Sequence, residues 1–120
     1  LVRVGVDARI GELARIDDGT LVGDEASVGD GASVGVGAYI GNRASIGLGA
    51  HVGDGSSVGA NAGVGVGARV GYMVYIGDRA CVGDGARVGD EASVAAGAHV
   101  ADGAVVDDGT YVGPKDERTP

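Results

Sequence analysis

Few residues in this chain have the types and spacing that chemistry needs. His51 and His99 carry imidazoles, which titrate near neutral pH and can act as general bases or metal ligands. Arg69 follows His51 by eighteen residues, and Arg87 follows Arg69 by eighteen. Guanidinium groups at a regular spacing can hold phosphate oxygens through charge-assisted hydrogen bonds. Asp84 and Asp102 share that spacing, as do Asp90 and Asp108, and paired carboxylates can ligate a cation. Two monodentate acids without a loop make a poor calcium site, so turn-forming aspartate is the better reading. The single cysteine, Cys81, rules out an internal disulfide framework. It reads as a small residue on a flat face, since thiol reactivity needs an electropositive setting.

These residues sit within a six-residue unit: aliphatic, Gly, polar, turn residue, small residue, variable residue. The aliphatic position recurs without a slip from Val4, Ile10 and Ile16 to Val100, Val106 and Val112. A fixed period means a repeat architecture. The small residue, the variable residue and the aliphatic alternate as a strand with one buried face does, so the variable residue points outward. Gly or Asn at the turn position suits a backbone with positive φ, and each unit should end in a tight corner. A helix is excluded by the glycine content and by a period of six. Collagen is excluded because Gly does not recur every third residue.

The units resemble the hexapeptide-repeat pattern, aliphatic-Gly-x-x-small-x, of the bacterial transferase hexapeptide family. The match runs over residues 2–113. The resemblance implies an all-β fold, a left-handed parallel β-helix. About six triangular coils of three hexapeptides are expected, with no insertion loops. Handedness comes from the resemblance alone, because parallel crossovers in general favour the right hand. The coil length implied is eighteen residues, so His51, Arg69 and Arg87 should stack on one face. The plainer reading of that stripe is a solvated surface beside acidic corners.

The family is rich in trimeric acyltransferases, which use a His base in a groove between subunits. In some of them that His lies two residues after the aliphatic. Here those positions hold Asp24, Asp30, Asn42, Asp54, Asp78 and Asp84. His51 and His99 instead fall at strand centres on different faces, which also excludes a three-histidine zinc site. The catalytic assignment is therefore none, with His51 as the candidate base. Arg69 and Arg87 are the phosphate-binding candidates, and no metal is expected.

Outward apolar residues give a further signal. Leu21, Val36, Tyr39, Tyr72, Met73 and Tyr75 should line one corner and an adjoining face, which suggests a contact surface. Net charge is −8, and Lys115 is the only lysine, so nucleic acid and anionic membrane are not expected partners. No signal peptide or membrane-spanning run is visible, which favours a cytoplasmic location.

One β-helix domain, 1–113, and a charged tail, 114–120, are expected. The leading expectation for function is a non-catalytic scaffold or assembly module without a cofactor. It would self-associate as a homotrimer or by stacking coil ends. The alternative is an acyltransferase, or the β-helical portion of one. It would act as a trimer and move an acyl group from acyl-CoA or acyl carrier protein to a sugar or amine.

Overall fold

The computed structural model describes residues 1–114. The charged tail expected at 114–120 lies outside them from residue 115 onward. Nineteen two-residue strands, from Arg3–Val4 to Tyr111–Val112, follow one another every six residues. They form a left-handed parallel β-helix of about six three-stranded turns, as the hexapeptide pattern implies. Its extents are 34 × 21 × 19 Å.

The strands sort into three parallel sheets of seven, six and six, one on each face of the prism. Register advances by eighteen residues, as in Arg3↔Leu21 and Arg69↔Arg87. The first face carries the outward residues Arg3, Leu21, Tyr39, Ser57, Tyr75, Ser93 and Tyr111. The third carries Arg15, Ser33, His51, Arg69, Arg87 and Val105. Strand N–H groups donate to carbonyls one coil ahead, for example Arg69 N to Ala86 O at 2.9 Å. A single coil would leave these groups unpaired, which is why the repeat must stack.

The core is a tube of aliphatics. From Val22 to Val112 the inward Val and Ile side chains are almost fully buried. Each contributes about 1.5–3 kcal/mol of transfer free energy. The first coil differs: Val4 is 50% and Ile10 38% exposed. No helix among the described residues is long and apolar enough to cross a membrane.

The corners explain the rest of the unit. The residue three after each aliphatic has positive φ, and at eight corners among the described residues it is not glycine. Asn61 fits the sequence expectation. Leu13 (φ 63°) and Met73 (φ 57°) do not, yet they take the same conformation. Stacking overrides local preference here. The N–H of this residue donates to the coil below, as Met73 N does to Asp54 O at 3.0 Å.

The glycine after the aliphatic has a steric origin. A Cβ on Gly65 would lie 2.5 Å from both the backbone nitrogen and the carboxylate Oδ1 of Asp84 on the next coil. That carboxylate accepts a hydrogen bond from Val66 N at 2.8 Å. Gly and Asp are thus two halves of one contact between successive coils.

Candidate functional site

His51, Arg69, Arg87 and Val105 start strands that neighbour one another in register on the third face. The coil length therefore brings together the three residues singled out for base and phosphate chemistry. At the spacing of paired strands, adjacent members are about 4.8 Å apart along the axis. All four are exposed. Together with Gly71, Gly89, Asp107 and Asp108 they line a shallow cleft of about 720 Å³ that is widely open to solvent. It runs along the third face and meets the corner that leads to the first face.

Arg69 and Arg87 make no ion pair among the described residues; the two pairs found are the Leu1 ammonium with Asp18 and Arg43 with Glu25. Like charges side by side on neighbouring strands repel. An anion laid across both guanidiniums relieves that repulsion and gains charge-assisted hydrogen bonds. The donor set thus fits a phosphate or diphosphate group. The exposed isopropyl group of Val105 gives the cleft an apolar end.

The corner aspartates are occupied. Asp54 Oδ1 accepts from Val36 N, Asp90 Oδ1 from Tyr72 N and Asp108 Oδ1 from Asp90 N, each at 2.9 Å. Asp102 caps Asp84 N in the same way at 2.9 Å. The stacked pairs Asp84/Asp102 and Asp90/Asp108 are backbone caps, and no cluster of metal-ligating side chains exists among the described residues. His51 and Asp107, whose carboxylate caps no backbone N–H among the described residues, are the groups in the cleft suited to take a proton.

One corner of the cleft departs from the template. Elsewhere the small residue donates its N–H to the carbonyl three residues earlier, as Ser56 N does to Gly53 O at 3.2 Å. At Gly71–Val74 the Ser56 hydroxyl bridges the two groups instead. It donates to Gly71 O at 2.6 Å and accepts from Val74 N at 3.0 Å. This opened turn carries Tyr72 and Met73. Sequence reasoning did not find this role for Ser56. Its signal was a hydroxyl directly below the bulkier Val74 in a column that mixes Val, Thr, Ser and Ala, where the other two faces hold alanine.

The six apolar candidates divide into two groups. Val36, Tyr72 and Met73 lie on the corner bordering the cleft, with Met73 packed over Gly55. Leu21, Tyr39 and Tyr75 lie on the first face, in a column that continues to Tyr111. Leu48 and Val66, which were not anticipated, are exposed at the corner leading into the third face. His99 sits on the second face beside Cys81 and is not part of the cleft.

By repeat and by fold, then, the chain is a left-handed parallel β-helix of the hexapeptide-repeat type. No protein-family model and no curated protein matches the sequence. Solved structures do. PerB from Caulobacter crescentus, in complex with CoA and GDP-perosamine, is 24% identical with a TM-score of 0.71; the match covers 98% of this chain and 58% of that one. The acetyltransferase domain of PglB from Neisseria gonorrhoeae, in complex with acetyl coenzyme A, is 23% identical with a TM-score of 0.69, over 95% of this chain and 54% of that one. UDP-N-acetylglucosamine acyltransferase from Campylobacter jejuni is 16% identical with a TM-score of 0.56, over 97% and 62% respectively. At these identities what is shared is the fold, and the chain spans little more than half of each protein.

Two expectations are corrected here. The non-catalytic scaffold gives way, because the solved proteins that share this fold are acyl-transfer enzymes. The expectation of no cofactor gives way because such structures hold CoA or acetyl-CoA. The physical reason for the error is specific. The scaffold expectation weighed the lack of a histidine two residues after the aliphatic, whereas the structure groups His51, Arg69 and Arg87 on consecutive strands of the third face.

Proposed function

We propose that this chain is the β-helical portion of an acyltransferase that takes acyl groups from acyl-CoA and passes them to an amine or hydroxyl of a sugar. The observation that carries the reading is the third-face cleft, which holds His51, Arg69 and Arg87 on consecutive coils. PerB and PglB support it, since those proteins share the fold and were solved with CoA or acetyl coenzyme A.

Acyl-CoA supplies the acyl group as an activated thioester. Arg69 and Arg87 hold the phosphate oxygens of its nucleotide end, and Val105 packs against an apolar part. The pantetheine arm separates those phosphates from the thioester by several coil spacings, so the His51 that accepts the proton of the acceptor amine or hydroxyl as the new bond forms is that of an adjoining copy. The proton then passes to the departing thiolate, which leaves the imidazole neutral for the next cycle. The corner aspartates stay engaged with the backbone throughout.

Self-association belongs to the same reading. Val36, Tyr72 and Met73 form an exposed apolar corner beside the cleft. Copies meeting there, as a homotrimer, would place each cleft against a neighbour and shield the thioester from water.

Calorimetric titration of the 120-residue chain with acetyl-CoA tests the proposal. Saturable binding is expected, weakened at least about tenfold by Arg69→Ala with Arg87→Ala, as the loss of two charge-assisted contacts implies. No heat up to millimolar ligand, or binding indifferent to the double substitution, would remove this reading.

A further inference from the structure

The first face repeats on a different scale from the other two. Its outward residues alternate along the axis: Tyr39, Ser57, Tyr75, Ser93, Tyr111, each in direct register with the next. The three tyrosines are 43%, 55% and 62% exposed, and Ser57 and Ser93 are half-buried between them. Two coils separate successive rings, which places them about 9.6 Å apart. The backbone ladders beneath fix that interval. From Leu21 to Tyr111 no outward residue on this face is charged, although the chain carries a net charge of −8.

We propose that this face binds an extended, uncharged β-linked glycan of the cellulose or chitin type, lying along the helix axis. In such a chain alternate sugars are turned over, so the same C–H face of the ring recurs every second residue. That disaccharide repeat agrees with the two-coil interval to within an ångström. Each tyrosine packs its ring against every second sugar, with its polar tip left in water. Ser57 and Ser93 meet the hydroxyls of the sugars between. The rigid ladder lowers the ordering cost of binding.

Charge complementarity narrows the choice of occupant. A neutral face gives no attraction to an anionic polymer. A nucleic acid strand would need a cationic groove beside its stacking rings, and no cation follows Arg3 on this face. A second copy of the chain is disfavoured by area. The strip offers roughly 300 Å² of ring surface, against about 800 Å² per partner in a standard interface. The inference stands apart from acyl transfer, which uses the third face.

The test is a titration with cellohexaose and chitohexaose in the absence of acyl-CoA. Tyrosine emission gives the readout, since the chain has no tryptophan. Maltohexaose serves as the control: it has the same sugars as cellohexaose, but its α-linkages curl the chain and break the repeat. Saturable binding of at least one β-linked hexasaccharide is expected, without binding of maltohexaose. Preference between the two says whether acetamido groups are read. Tyr75→Ala should weaken binding about tenfold, the scale of one aromatic contact. Tyr75→Trp should retain it, and Val66→Ala, at the exposed corner between the second and third faces, should leave it unchanged. Equal binding of maltohexaose, no binding up to millimolar sugar, or indifference to Tyr75→Ala overturns the proposal. A change in molar mass with Tyr75→Ala also overturns it, because the face would then be an interface between copies.

Discussion

The turns at Gly53–Ser56 and Gly71–Val74 lie one above the other at the same corner, built on the same six-residue template. In the lower turn the backbone closes on itself, Ser56 N to Gly53 O. In the upper turn that hydrogen bond is replaced by the Ser56 hydroxyl, inserted between Gly71 O and Val74 N. The lower turn has Gly55 at the positive-φ position, the upper has Met73, and Met73 lies over Gly55. The buried Thr20 hydroxyl likewise donates to Gly35 O at 2.8 Å, but there Ala38 N still closes on Gly35 O at 3.3 Å, so among the described residues only the turn at Gly71–Val74 is opened. The altered corner is the one beside His51, Arg69 and Arg87. A solenoid can thus keep its period and still vary locally, because each coil answers only to its neighbours.

The largest test of this contrast compares two glycines. Gly65→Ala places a methyl group 2.5 Å from Asp84 N in an ordinary corner. It should destabilise by about 3 kcal/mol, the upper range for overpacking. In the opened corner Gly71→Ala meets Asp90 Oδ1 at the same 2.5 Å but the less yielding backbone N only at 2.9 Å, and about 2 kcal/mol is expected there. Denaturant midpoints of the two variants should differ in that order; equal midpoints would mean that the opened corner offers no extra room.

Ser56→Ala should come next, at about 1–3 kcal/mol, because a half-buried carbonyl and a buried N–H lose their common partner. Its amide exchange should rise at Val74 and not at Ala92, whose turn closes in the ordinary way through Gly89 O. If Val74 keeps its protection, the backbone has closed on itself and the hydroxyl was dispensable.

Met73→Gly removes a non-glycine residue from the left-handed region, a gain of about 1–2 kcal/mol. It also loses the packing over Gly55, so the net change in midpoint should stay within about 1 kcal/mol. A larger loss would show that the Met73 contact dominates.

The smallest effect belongs to Ala101→Gly. Ala101 occupies a glycine position, but no coil of the described residues lies over it. The substitution should cost only about 0.5–1 kcal/mol, through the entropy of the unfolded chain. A stabilising result would show that the alanine methyl is strained there after all.

The shared face of the candidate residues was legible. His51, Arg69 and Arg87 were picked out by residue type, and the eighteen-residue coil put them on one face. Their common cleft was not legible, because it depends on how the corner at Gly71 and Gly89 stands out beside the strands. The engagement of Asp54, Asp90 and Asp108 was also hidden. Sequence shows an aspartate at each corner but not the N–H that its Oδ1 faces. The division of Val36 and Tyr72 to a corner and of Tyr39 and Tyr75 to the adjoining face was legible from register alone, and the structure has it so.

The sequence by itself determined the period, the inward aliphatic column and the need for stacking. These follow from side-chain alternation and from backbone groups that one coil cannot pair, both of which are local matters. Tertiary structure alone decided the opened corner at Val74, the capping role of each carboxylate and the left-handed backbone at Leu13 and Met73. Those outcomes depend on what the neighbouring coil presents across about 4.8 Å, and no stretch of sequence contains its own neighbour.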